Sequence, residues 1–159
     1  KLSLPIGPDE SAGQLHDRLA LLGRKAMEKT LRQLCDGALK PEPQDDALSS
    51  YAPMMKKEDG LIDWQSSAEE IHNQVRGLDP WPGAYTHLDG EVLKIAASGV
   101  EEPSFDKPGT IVSADKSGVR IACGQGTLVV GELQLPGKKR LSAINFLSGH
   151  PLFPGTQLV

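Results

Sequence analysis

The sequence predicts a mixed α+β chain, in which a small five-stranded β-barrel of the OB type follows a linker and a strand–helix segment. Three observations carry this reading. A long apolar repeat of helical period lies near the start, a proline-bearing stretch without periodicity follows it, and five short strand signals with glycine-rich corners fill the last part. The 159 residues and 17.0 kDa suit one ordinary domain or two small ones.

The opening Lys1-Leu2-Ser3-Leu4-Pro5-Ile6 reads as a strand. Without an initiator Met it looks cut from within a longer chain. Ser11 with Gln14 fits a capping box, and Leu15, Leu19, Leu22, Ala26, Leu31 and Leu34 then mark one apolar stripe on a helix that stops at Gly37. A single strand and helix cannot bury such a stripe, so its expected partner, a parallel sheet, lies outside these residues. Residues 38–65 read as a linker, with Pro41, Pro43 and Pro53 among charges. Its one apolar spot, Leu61-Ile62-Asp63-Trp64, is expected to dock on a neighbouring domain.

From residue 66 the pattern changes. Ser66 and Glu69 suit a capping box for a short helix that buries Ala68, Ile71 and Val75 and ends at Gly77. The turn-rich Leu78-Asp79-Pro80-Trp81-Pro82-Gly83 comes next. Strands are expected at 84–88, 91–96, 109–114, 119–123 and 127–135, with Asp89-Gly90 as a two-residue hairpin turn. Residues 142–147 suit a last short helix.

Composition removes several functional classes. Apolar residues at 38% and charged residues at 24% describe a soluble globular protein, and 4% aromatics require an aliphatic core. A net charge of -4 argues against binding nucleic acid by bulk charge, while leaving room for a local basic patch. Cys35 and Cys123 match no disulfide framework or zinc spacing. No apolar run reaches the ~18 residues of a membrane span, and no signal peptide is evident, so a cytoplasmic location is expected.

A search for catalytic groups finds none. His16, His72, His87 and His150 lack metal-type spacing, and His72 reads as a satisfied boundary histidine. Gly124-Gln125-Gly126 falls between strands, where a turn explains it better than a nucleotide fingerprint. Asp45-Asp46 and Glu101-Glu102 read as solvated loop charges. The cations are more informative: Lys138-Lys139-Arg140 in one loop, Lys56-Lys57 in the linker, and Arg76 at a helix end. A few such side chains suffice to hold RNA through its phosphates. The aromatics are not interleaved with cations in sequence, which favours backbone contact with a helical stem over stacked single strands.

Taken together, these runs resemble a known family. Tyr51-Ala52-Pro53, Lys57-Glu58-Asp59-Gly60-Leu61-Ile62-Asp63-Trp64, Arg76-Gly77-Leu78-Asp79-Pro80-Trp81-Pro82-Gly83-Ala84, Pro108-Gly109-Thr110-Ile111, Cys123-Gly124-Gln125-Gly126, Gly137-Lys138-Lys139-Arg140-Leu141-Ser142-Ala143 and Pro154-Gly155-Thr156 are similar, in order, to methionyl-tRNA formyltransferases. The Pro-Trp-Pro-Gly segment is shared with enzymes that formylate sugar nucleotides, and the basic loop narrows the likeness to the tRNA enzymes. The resemblance implies a parent that transfers a formyl group from 10-formyltetrahydrofolate, its cosubstrate, to methionyl initiator tRNA. Residues 1–37 would be the last strand and helix of a Rossmann-like catalytic domain, and 66–159 an OB-like tRNA-binding domain. The catalytic and folate-binding residues would precede Lys1, leaving this chain inactive alone, with no cofactor or metal of its own. Lys56, Lys57, Arg76, Lys138, Lys139 and Arg140 would meet tRNA. Trp81 and Pro82 would be structural, and the parent a monomer. The alternative is the C-terminal part of a sugar-nucleotide formyltransferase or formyltetrahydrofolate hydrolase, with a purely structural barrel.

Overall fold

The computed structural model describes residues 1–159 as two compact units, Lys1–Met55 and Lys56–Val159. In the first unit, α1 (Ala12–Cys35) starts at Ser11, whose hydroxyl accepts from Gln14 N while the Gln14 side chain accepts from Ser11 N. The helix ends at Gly37, which takes the left-handed conformation (φ 64°). There Ala38 N reaches Gln33 O at 2.8 Å and Gly37 N reaches Leu34 O at 3.1 Å, the paired bonds of a Schellman stop. No residue of α1 is buried. Residues 1–6, expected as a strand, form none: a strand exists only through its ladder, and no other segment of the chain pairs with this one.

The second unit holds the core. A 3₁₀ turn (Lys57–Gly60) leads to α2 (Ala68–Gly77). Its capping box is Ser67 with Glu70, one residue later than expected from Ser66 and Glu69. Ser66 belongs to the turn before the helix, its N–H donating to Asp63 O at 3.1 Å and its carbonyl accepting from Gly124 N at 3.0 Å, and Ala68, Ile71 and Val75 are buried as expected. Then come β1 (Ala84–Leu88), β2 (Glu91–Glu101), β3 (Ile111–Asp115), β4 (Gly118–Ala122), β5 (Thr127–Gln134), β6 (Leu141–Ser142) and α3 (Ala143–Gly149). The Asp89-Gly90 turn has both residues at positive φ (51° and 84°), as a type I′ hairpin requires.

All ladders are antiparallel, in the order β1-β2-β5-β4-β3, with the two-residue β6 on β5. The sheet therefore has six strands, one more than expected, and β1 and β3 do not pair to close it. Segment 155–159 runs along both open edges instead. Ile111 N donates to Thr156 O (2.8 Å), Leu158 N to Gly109 O (2.9 Å) and His87 N to Val159 O (2.7 Å). Leu158 is buried, beside a core of Ile71, Leu93, Ile95, Ile121, Leu128, Leu133 and Phe146.

The expected apolar anchor before α2 is part of this core: Ile62 and Trp64 are 3% and 5% exposed. Gly124 lets the backbone at 64–66 lie against the β4–β5 corner. Its N–H donates to Trp64 O at 2.9 Å, and a Cβ there would run into the Gln65 carbonyl.

Candidate nucleic-acid interface

Pairing register decides which side chains share a face. Tyr85 lies opposite Lys94 in the β1–β2 ladder, and Lys94 opposite Gln134 in the β2–β5 ladder. Directly opposed residues point to the same side of a sheet, and adjacent strands lie about 4.8 Å apart. Tyr85, Lys94 and Gln134 thus make one row about 10 Å long across the outer face.

Both sequence-distant lysine clusters attach to that row. At the β1 end, Leu61 bridges to Tyr85 and Ile62 N donates to Tyr85 O at 2.9 Å, which sets the Lys57–Gly60 turn beside the strand. Gln74 of α2 braces the same turn, its amide donating to Asp59 O (3.0 Å) and Leu61 O (3.1 Å). At the β5 end, the Gln134 amide donates to Lys138 O at 2.8 Å and so orients the 136–140 loop.

Beside Tyr85 the turn and the sheet enclose a groove of about 450 Å³, lined by Lys57, Glu58, Trp81, Tyr85, His87 and Lys94, with Pro82 and Val92 at its base. Trp81 is 55% exposed. Tyr85 and His87 meet edge to face at 5.7 Å, and Lys94 Nζ lies 3.5 Å from Pro82 O. Lys94, Tyr85 and His87 were not legible as site residues, because neither spacing nor charge runs mark them; only the ladder does. Aromatics and cations that are separate in sequence are neighbours here.

Lys138 and Lys139 are exposed and edge a second hollow, of about 380 Å³, over Leu135, Leu141 and Phe146. His150 stacks on Phe146 there at 5.0 Å. Arg140 turns the other way: its guanidinium pairs with Asp79 and lies 3.8 Å from Glu132. Of the three loop cations it alone is held by carboxylates. Arg76 is tied along its own helix, Nε donating to Asn73 Oδ1 at 2.8 Å. Lys56 stands at the head of the 3₁₀ turn, its backbone N–H on Asp59 Oδ2 at 2.7 Å.

The remaining titratable groups resemble structure more than chemistry. His72 is buried with Nδ1 3.0 Å from Ser98 Oγ. Burial pushes the Cys123 thiol up to about 11, far from a thiolate nucleophile. No cluster of three or more His, Cys, Asp or Glu side chains is arranged to hold a metal ion. No helix is long and apolar enough to cross a membrane.

Residues 54–151 match the family model for the formyl transferase C-terminal domain. The chain is 54% identical over 155 residues to a methionyl-tRNA formyltransferase of Citrifermentans bemidjiense, covering 98% of this chain and 48% of that protein. It is 54% identical over 158 residues to one of Geobacter metallireducens, covering 99% and 50%. The chain spans about half the length of these curated relatives. Among solved structures, HypX from Aquifex aeolicus superposes with a TM-score of 0.71 at 20% identity, over 91% of this chain and 27% of that one. An N-formyltransferase from Helicobacter canadensis, in complex with folinic acid and dTDP-3-aminofucose, gives 0.58 at 17%, over 80% and 47%. Both likenesses concern the fold.

Proposed function

The chain belongs to the formyl transferase C-terminal domain family, and from that premise we propose that it is the tRNA-holding part of a methionyl-tRNA formyltransferase. The parent moves a formyl group from 10-formyltetrahydrofolate to the amino group of methionyl initiator tRNA, in cytoplasmic translation initiation, as a monomer. Residues 66–159 act as an OB-type tRNA-binding domain, 38–65 as a linker, and 1–37 as the last strand and helix of an N-terminal catalytic domain. The other half of the relatives' length has room for that domain. The chemistry and the folate belong there, and this chain alone transfers nothing.

The observation that supports a grip on RNA is the Tyr85–Lys94–Gln134 row, with Lys57 beside Tyr85 at one end and, at the other, the loop of exposed Lys138 and Lys139 whose backbone the Gln134 amide holds. Lys56 and Lys139 flank it, with Arg76 and Arg140 as further cations. Each phosphate neutralised by such a side chain releases condensed counterions, so affinity falls steeply with salt. A handful of contacts on a chain of net charge -4 gives weak binding that the parent's other half must complete.

The test is titration of the chain with initiator tRNA between about 50 and 200 mM salt. Lys138→Ala with Lys139→Ala should reduce the slope of log affinity against log salt by about two. An unchanged slope refutes the site. Formyl transfer by the purified chain would refute its passive role.

A further inference from the structure

We propose that the groove beside Tyr85 receives one unstacked nucleotide of the bound RNA, its base against Trp81 and its phosphate between Lys57 and Lys94. This rests on the tRNA-holding reading and deepens it. The cations of the outer face can follow a backbone of any sequence, but the groove offers something different. It is concave, and at about 450 Å³ it falls in the size range of small-ligand clefts, roughly 300–1,000 Å³. That is room for a single nucleotide and not for a paired stem.

Its lining is suited to such a guest. Trp81 is the one tryptophan that shows its ring to solvent, at 55% exposure, whereas Trp64 is buried and hydrogen-bonded to Thr86. Trp81 lines the groove with more than half of its surface open, and an indole face is a strong stacking platform for a base. Tyr85 and His87, locked edge to face, give a second, rigid wall. Lys57 and Lys94 reach the groove from opposite sides, one from the 3₁₀ turn and one from β2, and complement a phosphate between them. Glu58 lies on the same rim. Its carboxylate repels a second phosphate and accepts from an exocyclic amine, which favours a base that carries one. The platform also stands on a stiff base, since Ile62, Trp64 and the Gln74 amide hold the turn to the sheet.

The experiment uses the whole 159-residue chain, initiator tRNA, and single-stranded tetranucleotides of each base as probes. Trp81 should report its own occupancy. Tryptophan emission is expected to be quenched on binding, and the quenching should vanish in Trp81→Leu and persist in Trp64→Phe. Trp81→Leu should weaken tetranucleotide binding by about 5- to 100-fold, the effect of losing one base–aromatic stack, with the salt slope unchanged. Lys57→Ala and Lys94→Ala should each lower that slope by about one and leave a residual quench. If Trp81→Leu does not fold, Trp81→Phe should bind nearly as the parent chain does, and acrylamide should reach Trp81 less well once RNA is bound. Saturable tRNA binding that Lys138→Ala and Lys139→Ala weaken, with Trp81 emission and accessibility unmoved, overturns the groove and keeps the tRNA reading. Absence of any RNA binding overturns both.

Discussion

The Thr86 hydroxyl sits at a junction of three segments: the anchor before α2, strand β1 and the last residues. It accepts from Trp64 Nε1 at 3.0 Å and donates to Val159 O at 3.0 Å, with Thr86 fully buried and Trp64 5% exposed. Thr86→Val keeps the shape and deletes both bonds. The Trp64 N–H is then buried without an acceptor, at a cost of about 1–3 kcal/mol. Val159 O still accepts from His87 N at 2.7 Å, so its loss is the ordinary net worth of one bond, about 1 kcal/mol. The sum is about 2–4 kcal/mol, a large share of the roughly 5–15 kcal/mol that holds a domain. Thr86→Ser retains both bonds and loses one methyl, about 1 kcal/mol. Urea unfolding followed by tryptophan emission should therefore rank the parent chain first, Thr86→Ser second and Thr86→Val last. A double-mutant cycle with Trp64→Phe sharpens the test. With the indole donor gone, Thr86→Val should cost about 1–2 kcal/mol less. Thr86→Val as stable as Thr86→Ser, or strictly additive costs in the cycle, would refute this account of how the Lys57 turn is anchored.

Three further outcomes are expected. Arg140→Ala should cost only about 0.5–1 kcal/mol, because its pairs with Asp79 and Glu132 are partly solvated, and it should lower the tRNA salt slope less than Lys138→Ala does, since carboxylates already hold its charge; urea melts and salt titrations check both. Acid should destabilise the second unit. Hydrogen bonds from Arg120 hold the Glu101 carboxyl below its usual range, and hydrogen bonds from Ser117 and Ser67 do the same for Asp115 and Glu70. A carboxyl depressed in the folded state stabilises fully above its unfolded pKa, about 4, and that contribution is lost as pH falls through the folded value. Thermal melts from pH 7 to pH 3 should show this loss, and Arg120→Met should shrink it; a melting temperature that rises toward pH 3 contradicts the sign. Finally, a thiol reagent at pH 8 should modify exposed Cys35 and spare buried Cys123, with both reacting only in denaturant.

Local signals located most of the second unit because its strands are short and its turns carry strong chemistry. Asp89-Gly90 admits one hairpin, and β1 follows directly from it. The errors have local causes too. Ser66-Ser67 and Glu69-Glu70 are tandem pairs, so two capping boxes fit the sequence equally, and the turn on Asp63 and the bond from Gly124 N, which hold Ser66, leave Ser67 as the cap. Strand β2 runs five residues beyond the expected end at 96, to Glu101, because Ser98 and Gly99 have poor strand character but lie opposite Val130 and Val129 of β5 after a bulge at 95–98. Tertiary pairing outweighs propensity there. The segment that lines both open edges of the sheet, 155–159, has no strand signature of its own, since its bonds go to two different strands.

The candidate site divides along the same line. Lysine clusters are visible as charge, and Lys138 and Lys139 are where a basic loop was expected. Whether two clusters some eighty residues apart act together is a question of register, and no periodicity in the sequence carries it. A shift of β2 by one residue against β1 and β5 would turn Lys94 into the core and Leu93 or Ile95 outward. Those two are 1% and 2% exposed, so the cost of that slip is the loss of much of the core. The apolar face of β2 thereby fixes Lys94 on the same side as Tyr85 and Gln134, and the candidate row is a by-product of packing on the opposite face. Arg140 shows the converse. Its charge is as conspicuous in sequence as that of its two neighbours, yet the fold places Asp79 and Glu132 against it, and its first role is to tie the 136–140 loop to the segment that carries Trp81. The cation most firmly placed by the structure is for that reason the least available to a phosphate.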